Sequence, residues 1–138
     1  MAFEPQTAVA VLAIPVDAAL ETTPTIVEVC LLACPDDVSM QIELLSVGFR
    51  ANTLPADGGA VNVDIEHIDD SDSDSVTDLL ENYDLTGGTV LVYDSIWRGN
   101  QILDAGDVIN AEFTTDGTLD TASEGAALIV EYRVLRRS

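Results

Sequence analysis

The stretch "DDSDSDSVTDLLE", residues 69–81, gathers the side chains of this chain best suited to chemistry. Counted from Asp70, acids fall at positions 1, 3, 5, 9 and 12: Asp70, Asp72, Asp74, Asp78 and Glu81. Val76 stands at the seventh position, where a backbone carbonyl would serve. That spacing is the oxygen ladder of a helix-loop-helix calcium loop. Two features oppose it. Position 6 holds Ser75 where the sharp turn wants a glycine, and the segment upstream alternates like a strand. A simpler account fits the same letters: a solvated loop entering a short helical turn near residues 75–82. Ser75 would cap that turn through the Asp78 amide, acids would sit at its positive end, and Leu79 and Leu80 would pack inward. The five acids are therefore weak calcium candidates, and no metal or cofactor is expected.

Other reactive side chains are few. His67, the single histidine, ends an inward-facing series and reads as a satisfied edge or core residue. A general base needs a nucleophile or cleft beside it, and no such constellation is legible. Nucleophile elbows and glycine-rich phosphate loops are absent, and carboxylates are too many for any one pair to be informative. No enzyme is expected. Cys30 and Cys34, in "VEVCLLACP", would lie roughly 13 Å apart on one face of a strand, too far to bridge. They read as small buried hydrophobes, and with one histidine they cannot complete a four-ligand zinc site. Trp97 and Arg98 in "DSIWRGN" are residue types enriched in interface hot spots. Arg133, Arg136 and Arg137 near the C-terminus either solubilise it or pair with acids of a neighbour.

Composition bounds the partners. The 138 residues hold 25 acids against five arginines and no lysine, a formal charge of −20. Such a surface repels phosphate backbones and anionic lipids, so neither nucleic acid nor membrane is an expected partner. With 47% apolar residues the chain can still bury a core. No segment is long enough for a membrane span. Glu4 and no basic residue precede the first apolar run, so no secretory signal is expected.

These residues must be positioned by strands. Short β-rich runs are predicted near 7–14, 25–34, 38–49, 60–68, 88–94, 96–103, 106–114 and 125–135. In "AVNVDIEHI", Val61, Val63, Ile65 and His67 share one face. Ile109, Ala111 and Phe113 repeat the pattern, and so do Leu128, Val130, Tyr132 and Val134. One-sided alternation between Gly, Pro and Asp turns implies antiparallel sheets in an all-β sandwich or barrel. Residues 1–20 read as an N-terminal arm or first strand, and 21–138 as the single domain.

The run "IELLSVGFRANTLPADGGAVNVDIEHID", the later "NQILDAGDVINAEF" and the closing "GAALIVEYRVL" together resemble tailed-phage head decoration proteins, also called cement or auxiliary capsid proteins. The matching features are the "PADGGA" turn, the Leu103, Ala105, Gly106, Asp107 turn, and the Tyr132–Arg133 pair, over roughly residues 38–135. The resemblance implies a single jelly-roll β-sandwich of about eight strands. It also implies a homotrimer bound to a major capsid protein on the outer surface of a virion assembled in the host cytoplasm, where it bridges capsomers. The alternative is a receptor- or carbohydrate-binding jelly roll of a tail or spike.

Overall fold

Period-two alternation builds the molecule, because each strand buries every second side chain and leaves the others in water. The computed structural model describes residues 9–20, 25–54, 59–86, 91–117 and 121–136. Eight strands run in chain order: β1 Ala10–Pro15, β2 Thr25–Ala33, β3 Met40–Arg50, β4 Gly59–Asp69, β5 Ser75–Asp84, β6 Asp94–Leu103, β7 Val108–Gly117 and β8 Ala127–Arg136. They form two antiparallel four-stranded sheets, ordered β1–β8–β3–β6 and β2–β7–β4–β5. Each sheet interleaves early and late strands, which makes the fold a jelly-roll sandwich. The core lies between the sheets and is led by Phe49, Phe113, Leu44, Ile65, Leu103, Ile109 and Leu128.

The alternations read from the sequence sit as expected: Val61, Val63 and Ile65 point inward with Ile109, Ala111, Phe113, Leu128 and Val130. The segment expected as an arm or first strand supplies β1, paired with β8 from Ala10–Tyr132 to Pro15–Ala127. Asp17 then fastens the following turn. Its carboxylate accepts hydrogen bonds from the Ser123 hydroxyl at 3.0 Å and from the Gly125 and Ala126 amides at 3.0 and 2.9 Å.

Local placements differ from the sequence reading. The helical turn expected near 75–82 falls earlier, at Asp70–Asp72, where Asp69 rather than Ser75 supplies the cap by accepting from the Ser71 amide. Residues 75–84 instead pair along β4 as a strand. The left-handed residues Ser73 and Asp74 reverse the chain there, so the stretch becomes the β4–β5 hairpin. Of the strand expected at 88–94, residues 88–90 lie outside the described residues and Leu91–Tyr93 are not in a strand, while Asp94 opens β6, the strand expected at 96–103. Only Cys34 of the two cysteines is buried; Cys30 is exposed, and both are free thiols.

Candidate functional site

The acidic ladder does not close on itself. Asp70 and Asp72 lie in the 3₁₀ turn, Asp74 in the reversal, and Asp78 and Glu81 farther along β5. A calcium loop needs its last ligand returned to the first by a helix, and a strand carries it away instead. Asp72 accepts from the Ser75 hydroxyl at 3.0 Å, a local use of its oxygens. Glu81 has its carboxyl held above the ordinary range by its hydrogen bond to Asp78 and by that residue's charge.

Register gathers a different set of acids. On the outer face of the β2–β7–β4–β5 sheet, Glu28 lies opposite Glu112, Glu112 opposite Asp64, and Glu66 opposite Asp78. Directly opposed like charges destabilise a sheet. The carboxylates of Glu28, Glu66 and Glu112 lie within 4.8 Å of one another, oxygens that a hard cation could share. Desolvation, then the neighbouring acids, pushes the Glu66 and Glu112 carboxyls above their usual value.

A polar hub locks one end of the sandwich. Asp107, 2% exposed, accepts from the Asp70 amide at 3.0 Å and the Asp104 amide at 3.0 Å, and lies 3.0 Å from His67 Nε2. Burial opposes its charge, but His67 and the two amides outweigh it and hold the carboxyl below the ordinary range. Gly106 has a φ of +86°, and a Cβ there would meet the Asp70 carboxylate, so the turn admits the hub only with glycine. Cys34 is joined to the same turn through backbone hydrogen bonds. Burial and the nearby acids push its thiol up, away from the nucleophilic thiolate. Beside the hub opens a cleft of about 410 Å³ lined by Asp36, Val38, Gln41 and Asp104.

The expected interface residues lie on the other sheet but not together. Trp97 and Arg98 are neighbours in β6, so they point to opposite sides. Trp97 packs half-buried against the core, while Arg98 is exposed and lies 3.7 Å from Glu131. Arg133 bonds Glu43 and, with Asn100, holds its carboxyl below the ordinary range. Arg136 is exposed at the end of β8, and Arg137 lies outside the described residues. All the described arginines, Arg50 included, belong to strands of this one sheet, whereas the other sheet's outer face is acidic. Near them lies a groove of about 300 Å³ lined by Val11, Ser46, Tyr93, Arg98, Ile129 and Glu131. The Tyr93 ring lies directly over Gly48, in space that any Cβ would occupy. The sequence reading missed this apolar ground because Val11, Tyr93 and Ile129 come from three distant segments that only register unites.

Strand order and sites together define the class: a jelly roll with a structural polar hub and one sheet face left partly apolar. No family model matches the chain, and no curated protein matches it. Among solved structures it is similar to VP2 of infectious bursal disease virus in derived T=1 particles, with 13% identity and a TM-score of 0.43. That match covers 97% of this chain and 35% of VP2. The structure of infectious bursal disease virus Gx strain gives 14% and 0.42, covering 97% and 36%. A protein of Sulfurospirillum deleyianum gives 11% and 0.38, covering 93% and 99%. The chain thus spans about a third of these two viral chains, and at these values the likenesses add nothing to the fold read from the strand order.

The expected family is corrected: no family model and no curated protein matches the chain, and the similar viral structures are of infectious bursal disease virus, not of a tailed phage. The assignment to bacteriophage, the cement role and the separate major capsid protein as partner are withdrawn with the resemblance. The segments that suggested them, "PADGGA" and Leu-x-Ala-Gly-Asp, are rich in the Gly, Pro and Asp that turns favour in unrelated β proteins as well.

Proposed function

We propose that this protein is a structural component of a viral shell, exposed on the particle and assembled in the host cytoplasm. It would strengthen the shell by joining neighbouring subunits. The role is mechanical and includes no catalytic step. The observation that carries this reading is the uncovered apolar ground on the β1–β8–β3–β6 face, where Val11 is 65% and Tyr93 47% exposed beside Ile129. Leu91 and Val92, which lead into Tyr93, are exposed as well. In a chain this acidic, apolar surface left open favours burial against a neighbour.

Jelly rolls also serve as cupins and lectins. A cupin's metal centre takes several histidines, and the one histidine here is engaged by Asp107. A carbohydrate platform wants several exposed rings; Trp97 is half-buried against the core, and of the described aromatic residues only Tyr93 is exposed. Electron microscopy of the native particle tests the reading. Symmetry-related copies within the shell, with this face against a neighbour, are expected. A few copies at a tail or spike tip would favour the receptor-binding role, and absence from the particle would refute the proposal.

A further inference from the structure

We infer that two copies of this chain join edge to edge through β1, extending the β1–β8–β3–β6 sheet across a twofold axis. The inference rests on the assembly reading and deepens it by naming the partner, a second copy, and the seam.

The two sheets end in four edge strands, β1 and β6 in one and β2 and β5 in the other. An open edge invites another strand, and proteins blunt it with charge, bulges or proline. Three edges here are blunted. β6 carries Asp94 and Arg98 and shifts register twice along β3. β2 carries Glu28 and bulges between Cys30 and Leu32. β5 carries Asp78, Glu81 and Asp84, shifts register twice, and has Asn82 at a φ of 50°. β1 differs from all three. "AVLAIP" holds no charge, its pairing with β8 runs unbroken, and only Pro15 at its end interrupts donation. Among the described residues no strand pairs with its other side.

The core is also unfinished at this edge. Leu12 shares the inward face with its partner Val130, which is fully buried, yet Leu12 remains 43% exposed. Outward-facing Val11 is open too. A strand added beside β1 would cover both.

Charge selects the occupant. Each copy carries −20, so most contacts between copies set acid against acid. Antiparallel pairing of β1 with its own copy is an exception, because each side of the seam is uncharged. The β2, β5 or β6 edge of a second copy would bring acids and an irregular register to the same place.

Disulfide trapping in the full chain tests this. With exposed Cys30 replaced by serine (Cys30→Ser), single cysteines are placed in turn at Ala10, Val11, Leu12, Ala13 and Ile14. A twofold antiparallel pair sets one residue opposite itself with Cα atoms about 4.5–5.5 Å apart, within reach of a disulfide. The expected result is a covalent dimer at one position, falling away at its sequence neighbours. A second variant, Val11→Lys, changes an outward side chain and keeps the monomer fold, as judged by its melting curve. It should weaken association at least tenfold. Association without trapping at any position, or unaffected by Val11→Lys, overturns the β1 seam while the assembly reading stands. A chain monomeric under all conditions would overturn both.

Discussion

Asp107 shows how one side chain can fix the end of a sandwich. It links the β6–β7 turn to the β4–β5 turn through the Asp104 and Asp70 amides and engages His67 across the core margin. Replacing it by alanine would leave two amide donors and the histidine without their acceptor. Donors stripped of a partner cost about 1–3 kcal/mol each when buried; these are part-buried, so Asp107→Ala should destabilise the fold by about 2 kcal/mol, measured by chemical denaturation. A loss below about 1 kcal/mol would show that the turns hold without the carboxylate. His67 was legible from the sequence as a satisfied residue because it ends an alternating run. Its partner was not legible, since Asp107 comes forty positions later and only strand pairing brings the two turns together.

At the scale of elements, strands with apolar alternation were readable, whereas β5 was not. Its burial pattern has only scattered half-buried positions, Leu79 and Leu80 being consecutive, and exposed Val76, Thr77 and Asn82 are interspersed with acids, so neither a two-residue nor a helical period stands out. The hairpin reversal depends on left-handed Ser73 and Asp74, with no glycine to mark it. Because Asp70, Asp72 and Asp74 are exposed, changing all three to asparagine should alter stability by no more than about 1 kcal/mol. Calorimetry of the unaltered chain should show no micromolar calcium binding. A large fall in melting temperature, or tight binding that the triple asparagine variant loses, would restore the metal loop.

The sheet outer face makes a prediction about pH. Glu66 and Glu112 have folded values raised above 4.5 by desolvation and their acidic neighbours. Their stabilising contribution is full below the unfolded value and is lost as pH rises through the raised folded value. Asp107 and Glu43 are lowered, so their contribution is present above the unfolded value and lost as pH falls through the depressed one. The melting temperature should therefore be higher near pH ~5 than at pH ~7, then fall in stronger acid. Glu112→Gln should reduce the gain. A melting temperature that declines steadily from neutrality would mean the crowded carboxylates do not control this face.

For the whole molecule, association must overcome a charge of −20 on each copy. That imbalance is plain in the sequence, but its arrangement is not. The fold puts the described arginines on strands of one sheet and leaves crowded glutamates on the outer face of the other. The open apolar ground at β1, Tyr93 and Ile129 is assembled from three distant segments. Net repulsion reaches about 8 Å at 0.15 M ionic strength and about 3 Å at 1 M, while salt leaves burial of an apolar seam intact. Sedimentation velocity of the isolated chain across rising sodium chloride is the most direct test of assembly through that ground. Association should strengthen as salt rises; oligomers that dissociate on adding salt, or a monomer at every concentration, would contradict it.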